Sequence, residues 1–587
     1  MYNDYEIRQM PLSIKSVRDK VEKFLSQNGL RLDDVDYYAC VFRLDEDDIL
    51  AGAGCKSNII KCLAVSDSLR GENISSMIVS HMVSYILQQY NSVKVFTKPE
   101  NVSIFSSLGF SLLASSSNAV LMENTLNSIK SYQNYLISNK KAGTNGLIVM
   151  NANPFSSGHR YLIETASKQV DNLYIIPVKE DASLFTYLER KSMIEDATKD
   201  LQNVYVLKGS DYSVSKFTFP TYFLKNLDDV ADTHITLDLD LCIKWIVPAL
   251  SIKKRFVGSE PTDKLTNRYN ILMREILPKN GVDVVQIDRK TADNKPISAS
   301  IIRKYLSEGS FLKASKLLYP TSLPYVLGFL AADCLQRELD TTPKPGLVDK
   351  QDAGAHKDMD YTTMLNSIKT LRPYFVRLAL LGFNNVLPEI NYIQELGIEA
   401  EKSMMRATNN VNTHRGALFC MGLAVVSSAN IYYNFIYNDK TISEDNFVTN
   451  IKNLSSKMHQ TNTTHGFQVI EKDKVGGALQ NAQNGYKDLF NSWLPFYLRH
   501  KQERLAAHKT LLYIMSQLID TNICYRKGIK IADKVREECK DLLQKNLSDD
   551  DLIKALNTMN EQYIKENISA GGSADMLSLT FFVASIL

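Results

Sequence analysis

The chain has 587 residues, 44% of them hydrophobic and 23% charged. At roughly 150 residues per domain, that length points to several domains, and the composition excludes a disordered, collagen-like or low-complexity chain. The 68 Lys and Arg against 65 Asp and Glu leave a net charge of +3, which argues against a bulk nucleic-acid binder but leaves room for local basic pockets that hold phosphate.

From Met1 to about residue 130, strand-like stretches mix with helical ones. VDYYACVFRL, ILAGAGCK and IIKCLAVS predict a strand meander, ISSMIVSHMVSYILQQY a helix, and VKVFTKP a further strand. The opening MYNDYEIRQMPLSIKS lacks the basic-then-apolar layout of a signal peptide. No apolar run is read as reaching the roughly 18 to 20 residues of a membrane span. The eight cysteines, at 40, 55, 62, 242, 334, 420, 524 and 539, form no CxxC pair, which suggests neither a zinc site nor a disulfide framework. The expectation is a reduced, cytoplasmic enzyme without a membrane or nucleic-acid partner.

A helical linker leads to Gly146. From there to Tyr319, GLIVMN, NLYIIPV, VYVLKG, HITLDLD, KKRFVGS and VDVVQI read as short strands, with HRYLIETASKQ and YLERKSMIEDATKD as helices between them. Such alternation predicts a parallel sheet with helices on both faces. From about Ser322 to Leu587 helical periodicity dominates, and the region reads as an all-α domain. The expected boundaries are 1–130, 145–320 and 325–587.

The strongest local pattern is GLIVMNANPFSSGHRYLIETASKQ, a strand running through small residues into a helix near Ser157. The exposed N–H groups of a helix start favour phosphate. Gly158 permits close backbone approach, His159 can donate to a phosphate oxygen, and Ser156 adds a hydroxyl. In KPISASIIRKYL, Ser298 and Ser300 stand at a second helix start with Arg303 one turn in. FVGSEP puts Gly258 just after a strand, on the edge where open α/β sheets bind ligands. Taken singly, each pattern is equally a capped turn.

Together, Ser156-Ser157-Gly158-His159 and Ile297-Ser298-Ala299-Ser300 resemble the paired signatures of the nucleotidyltransferase superfamily. With PVKEDASLF and GSDYSVSKFTFPTYFLK they resemble the citrate lyase ligases in particular. Ser156 stands where that family usually has Thr, and the hydroxyl survives. The resemblance implies a Rossmann-like domain in which acetate attacks the α-phosphorus of ATP. Acetyl-AMP and pyrophosphate form, and the acetyl group passes to the prosthetic-group thiol of the citrate lyase acyl carrier protein. It assigns His159, as catalytic residue, and Ser156, Gly158, Lys179, Gly258, Ser298, Ser300 and Arg303 to ATP, with Mg2+ bridging phosphates.

In front of it, SDSLRGENISSMIVSHMV and FSSLGF resemble the pyrophosphate loop and a late helix-to-strand turn of the acyl-CoA-dependent acetyltransferases. The family's RGxGxG reads Arg70-Gly71-Glu72-Asn73-Ile74-Ser75 here. Two glycines are replaced and a carboxylate is added beside an expected pyrophosphate, which weakens backbone approach and electrostatics alike. The expectation is an α+β acetyltransferase-like domain with a structural or carrier-docking role.

The helical third contains TPKPGLVDKQDAGAHKDMD, NNVNTHRGALF, IDTNICYRKG and NISAGGSADMLSLT. Asp, Asn and Gly are common in loops for local reasons, yet four such clusters open apolar helices. In order they resemble the motifs of triphosphoribosyl-dephospho-CoA synthases, with Ala570 where that family typically has Pro. The resemblance implies attack by the 2′-hydroxyl of 3′-dephospho-CoA on C1 of the ATP ribose, with loss of adenine through an oxocarbenium-like transition state. Asp349, Asp358 and Asp360 are the expected metal or base carboxylates, with Glu399 and Asp575 as further metal candidates. Lys344, His414, Arg415 and Arg526 are the expected triphosphate ligands. The sequence thus predicts a bifunctional enzyme of citrate lyase maturation. The alternatives are a coenzyme-precursor adenylyltransferase and a non-catalytic assembly factor.

Overall fold

A computed structural model describes residues 4–66, 73–125, 127–179, 183–212, 230–260, 263–292, 295–458 and 476–587. Arg70, Gly71 and Glu72 of the acetyltransferase-like loop, and most of the motif that follows Tyr212, lie outside these residues. Two compact units emerge. The first holds 1–152, 158–187 and 198–296, and the second 153–157, 188–197 and 297–587.

The first unit contains two sheets. Strands β1 (Tyr5–Gln9), β2 (Tyr37–Arg43), β3 (Ala51–Lys56), β4 (Ile59–Val65), β5 (Lys94–Thr97), β6 (Ser111–Ser115) and β7 (Val120–Glu123) form a mixed sheet in the order β1-β2-β3-β4-β5-β7-β6. Only β4 and β5 pair in parallel, through Ile59↔Lys94 and Ile60↔Val95. The alternation along β2 serves both faces. Tyr38, Cys40 and Phe42 enter one core with the helix Lys15–Gln27, while Ala39 and Val41 enter the other with the helix Ile74–Ile86.

Strands β8 (Asn145–Met150), β9 (Asn172–Pro177), β10 (Val204–Val206), β11 (Ile252–Gly258) and β12 (Asp283–Ile287) form an all-parallel sheet, β10-β9-β8-β11-β12. This is the doubly wound order, with its switch point between β8 and β11.

HITLDLD is a correction: it lies in the helix Val230–Leu241. Leu237 and Leu241 pack into the core with Val21 and Tyr38, whereas Ile235 and Leu239 pack into the core with Leu147 and Tyr174. Two apolar stripes at i, i+4, offset by two residues, reproduce the alternation of a strand. The helix is sandwiched between both sheets.

The second unit is helical among its described residues from 323 onward. The helix Leu323–Asp340 packs on Tyr361–Gly382, which also meets Ile390–Ala407 and Arg415–Tyr437. The last helix, Gly571–Ile586, is buried against Leu323–Asp340 and Arg415–Tyr437. Contrary to the sequence reading, the helix Arg415–Tyr437 is long and apolar enough to cross a membrane, but 83% of its apolar window is buried inside the protein. All eight cysteines are free and buried.

Candidate active sites

In the first unit the carboxyl ends of the parallel strands share one edge, as the register Met150↔Pro177 and Gly258↔Ile287 requires. Four groups follow those ends. His159 lies in the first turn of the helix Ser157–Ser167, after β8. Lys179 follows β9, Ser259 and Glu260 follow β11, and Arg289 follows β12. Arg289 was not foreseen. Its Nε donates to the Ser259 carbonyl at 2.7 Å, its guanidinium pairs with Glu260, and its backbone N–H donates to Ser259 Oγ at 3.2 Å. A lone Arg after DVVQID carries no motif, so only the register reveals it.

Burial, and then the Arg289 charge, push the His159 imidazole down to about 4. It is neutral at physiological pH and offers one N–H. Gly258 has open space where a Cβ would be. Lys179 is paired with Asp211 at 2.9 Å. The Asp211 carbonyl accepts from Lys94 of β5 at 2.7 Å, so the mixed sheet supports the loop that carries this cation's partner.

In the second unit, the loop at 153–157 is pinned by backbone. Ser156 bridges Leu318, the Ser157 N–H donates to the Leu317 carbonyl at 3.0 Å, and Ser157 Oγ donates to the Leu318 carbonyl at 2.9 Å. Ser156 is buried. Ser298 is the N-cap of the helix Ala299–Ser307, its Oγ accepting from the Ser300 N–H at 3.2 Å, and the two hydroxyls lie 2.6 Å apart. One turn on, Arg303 donates to the Asn153 carbonyl at 2.6 Å, and burial lowers its pKa. The Arg303–Asn153 contact thus ties the helix that Ser298 caps to the loop that carries Ser156.

The helical motifs converge on a second cluster. Lys344 is fully buried and its ammonium binds Glu338. Asp349 is buried too, but its carboxylate accepts the N–H groups of Lys344 (2.8 Å), Gln351 (2.7 Å) and Asp352 (3.3 Å). These bonds fold the loop. Asp520 caps the helix Thr521–Lys527 and accepts from the Ser573 N–H at 2.8 Å and Ser573 Oγ at 3.0 Å, fixing the start of the last helix. One turn in stands Asp575, whose carboxyl is pushed well above the usual range by desolvation, Glu338 and Asp520. Gly416 faces it so closely that a Cβ there would lie 2.0 Å from Asp575 Oδ2.

His414 is buried, and desolvation followed by the Lys344 charge push it down to about 3. Thr413 Oγ1 donates to Ser367 Oγ at 2.8 Å, and Ser367 Oγ lies 2.7 Å from His414 Nδ1. With Ser367 as the donor to Nδ1, the imidazole proton sits on Nε2, which has no hydrogen-bond partner among the described residues. Its desolvation without a partner costs about 1–3 kcal/mol, a cost that a bound acceptor removes.

The other expected carboxylates are not brought together. Asp358 is 63% exposed, Asp360 caps the helix Tyr361–Gly382 through the Thr363 N–H at 2.8 Å, and Glu399 lies on an exposed helix face with Arg377 at 2.8 Å. Among the described residues no three His, Cys, Asp or Glu side chains are grouped to hold a metal ion, so these five do not form one metal site. Arg415 is half-exposed and pairs with Glu401. Arg526 donates to the Ala355 carbonyl at 3.1 Å and contacts His356 Nδ1 at 3.3 Å. Glu338 and Ser367, inside amphipathic helices, were missed because nothing in a helical run distinguishes a buried polar residue from those on the exposed face.

Comparison with known proteins divides the chain at about residue 325, so the first match draws residues from both compact units. Residues 145–326 match the model of the citrate lyase ligase C-terminal domain, and 325–587 that of ATP:dephospho-CoA triphosphoribosyl transferase. A [citrate [pro-3S]-lyase] ligase of Haemophilus influenzae is 38% identical over 317 residues, 52% of this chain and 94% of that protein. Its counterpart in Escherichia coli is 34% identical over 320 residues, 53% and 90%. A probable 2-(5''-triphosphoribosyl)-3'-dephosphocoenzyme-A synthase of Streptococcus mutans is 34% identical over 280 residues, 44% and 94%.

Proposed function

The chain belongs to the citrate lyase ligases over its first part and to the triphosphoribosyl-dephospho-CoA synthases over its second, and from that premise we infer how its residues share out two ATP-dependent reactions of citrate lyase maturation. One acetylates the prosthetic-group thiol of the acyl carrier protein by way of acetyl-AMP, releasing AMP and pyrophosphate. The other makes 2′-(5″-triphosphoribosyl)-3′-dephospho-CoA from ATP and 3′-dephospho-CoA, releasing adenine. We place the two activities in the segments 145–320 and 325–587, and in the cytoplasm, where ATP is supplied. The segment 1–130 is read as an acetyltransferase-like fold with a structural or carrier-docking role, which the Lys94–Asp211 contact supports.

In the ligase, α-phosphoryl transfer needs position and charge neutralisation rather than a protein nucleophile. His159 and Arg289 are assigned to the ATP phosphates. His159 donates an N–H as a neutral imidazole, and Arg289 supplies fixed charge. Ser298, Ser300 and Arg303 hold the departing pyrophosphate, and Lys179 the carboxylate or phosphate side.

In the synthase, Asp575 carries the reading. Desolvation beside Glu338 and Asp520 favours its protonated form, and in that form it would donate to the departing adenine and recover the proton from the attacking 2′-hydroxyl. His414 Nε2–H and Lys344 of the buried Lys344–Glu338 pair are assigned to the triphosphate, and Asp520 to negative potential for the oxocarbenium-like centre. A Mg2+ ion that arrives on the triphosphate, keeping several of its waters rather than taking an all-protein cage, would neutralise phosphate charge there.

The test uses the full chain with ATP, acetate, thiol-form carrier protein and 3′-dephospho-CoA. His159→Ala should abolish the one-acetyl mass gain on the carrier and leave adenine release intact, while Asp575→Asn should do the reverse. Loss of both products in either variant, or of neither, would remove this assignment.

A further inference from the structure

The helical unit contains a cleft that none of the residues assigned above lines. Its volume is about 310 Å3, and it lies where Leu323–Asp340 ends, beside Leu494–His500, the start of Ala506–Gln517 and the last helix. Three cations border it: Arg337, Lys501 and Arg504. The Arg337 guanidinium sits 4.5 Å over the Phe581 ring and donates to the Tyr497 hydroxyl at 3.1 Å, and the two rings are 5.2 Å apart. Aromatic packing and one hydrogen bond thus fix a guanidinium in advance, which reduces the entropy a bound anion must overcome.

Arg337 feels the charge of Asp333, one turn back on its own helix, without forming an ion pair with it. Among the described residues no carboxylate stands within ion-pair distance of Arg337 or Lys501, and Arg504 reaches only the exposed Asp550, at 3.2 Å. The one acid on the wall, Asp340, is already engaged by Lys350 at 3.2 Å and by the Tyr361 hydroxyl at 2.8 Å. The cleft therefore offers positive charge and aromatic surface with no competing free carboxylate, the chemistry that receives a nucleotide diphosphate.

Its position relative to the acid cluster fits the acceptor. Thr341 borders the cleft and begins the loop that carries Lys344 and Asp349. Ala507 borders it, and the next residue, His508, senses both Asp349 and Lys344. Phe581 lies roughly 9 Å of helix rise beyond Asp575 at 1.5 Å per residue and about 120° around the helix from it, so the acceptor would have to reach round the last helix between them. In a nucleotide whose 2′-hydroxyl reacts, the 5′-diphosphate is displaced from the reacting atom by the ribose itself.

We propose that this cleft binds the diphosphate of 3′-dephospho-CoA, with Arg337 and Lys501 as its ligands, and so selects the acceptor for the triphosphoribosyl transfer. The proposal rests on the reading of the helical unit given above. The competing ligand of the same chemistry is the triphosphate of ATP, and steady-state kinetics of adenine release by the full chain separate the two. Lys501→Ala, at an exposed position, should raise KM for 3′-dephospho-CoA about tenfold, as expected for a lost charge-assisted contact, and leave kcat and KM for ATP near the wild-type values. Tyr497→Phe, which removes only the hydroxyl that holds Arg337, should shift the same KM in the same direction by less. A rise confined to KM for ATP, or no change in either KM, overturns the proposal. Absence of acceptor-dependent adenine release from the wild-type chain would instead defeat the reading of the unit, so the two failures are distinguishable.

Discussion

Gly416→Ala tests the synthase site at one added carbon. The residue is the second of the helix Arg415–Tyr437, and its missing Cβ would stand 2.0 Å from Asp575 Oδ2. A carbon needs at least 3.0 Å there, so the carboxyl must withdraw by about 1 Å. The obstacle is the tip of a side chain, which can rotate, and Ala is favoured over Gly in a helix by up to about 1 kcal/mol. Stability should therefore be unchanged or slightly higher by thermal unfolding. Adenine release should fall about a hundredfold, the typical cost of a misplacement near 1 Å at a reacting centre. Carrier acetylation by the same protein serves as the internal control and should not change. A folded Gly416→Ala protein that releases adenine at the wild-type rate would refute the role given to Asp575.

Gly346→Ala should behave in the opposite way. Its φ is +70° and its Cβ would meet the Ile568 carbonyl at 2.1 Å, which is backbone and cannot rotate aside, so a loss of a few kcal/mol in chemical denaturation is expected. For the buried pair, Lys344→Met alone strands Glu338 and should cost about 3–5 kcal/mol, whereas Lys344→Met with Glu338→Leu should recover most of that stability but no adenine release. In the pH dependence of stability, His414 is held near 3 and His159 near 4. The unfolded chain takes up their protons below about 6.5 while the folded one does not, so the stability they contribute is present above that pH and is lost as pH falls towards 4 and 3. The raised carboxyls of Asp575 and Asp520 oppose this slope, so the diagnostic quantity is a difference. His414→Asn should flatten the loss between pH 6 and 4 by about 1.4 kcal/mol per unit relative to wild type, and an unchanged slope would count against a buried neutral imidazole. Arg289→Ala should raise KM for ATP in carrier acetylation, by about tenfold or more for a lost charge-assisted contact, with adenine release as the unaffected control.

Much of the fold was legible because it repeats simple periods. Strands β2 to β5, β8, β9, β11 and β12 fall where apolar runs between turn residues place them. HITLDLD misled because a helix buried on two sides at two offsets carries a strand's alternation. The helix Arg415–Tyr437 escaped a search for unbroken apolar runs because Ser427, Ser428 and Asn430 interrupt it. Within the fold those groups are satisfied, Ser428 by the Ala424 carbonyl at 2.7 Å and Asn430 by the Asn384 carbonyl at 2.7 Å. For the sites, motifs located the loops but not the duty of each side chain. Asp349 and Asp360 look like reactive acids in sequence, yet their oxygens are used by loop and cap N–H groups. The contributors Arg289, Glu338 and Ser367 sit outside every motif, brought in by sheet register or helix packing that a linear pattern does not encode.

The two sites solve one problem by similar means. On the assignments proposed above each grips a polyanion, and each places beside a cation a histidine whose pKa burial lowers: His159 with Arg289, His414 with Lys344. A charged imidazole would add attraction, but it would release or take a proton as the phosphate came and went, coupling binding to pH. A neutral one contributes a fixed N–H donor, and the neighbouring cation keeps it neutral. In the synthase a Thr413–Ser367 chain that donates to Nδ1 would also fix which nitrogen bears the proton. Ser367→Ala should therefore weaken ATP binding by freeing the tautomer while leaving the fold intact. Nitrogen-15 shifts of the His414 ring should then show proton density on Nδ1 that the wild type lacks, and a ring still protonated only at Nε2 would show that the serine does not set it.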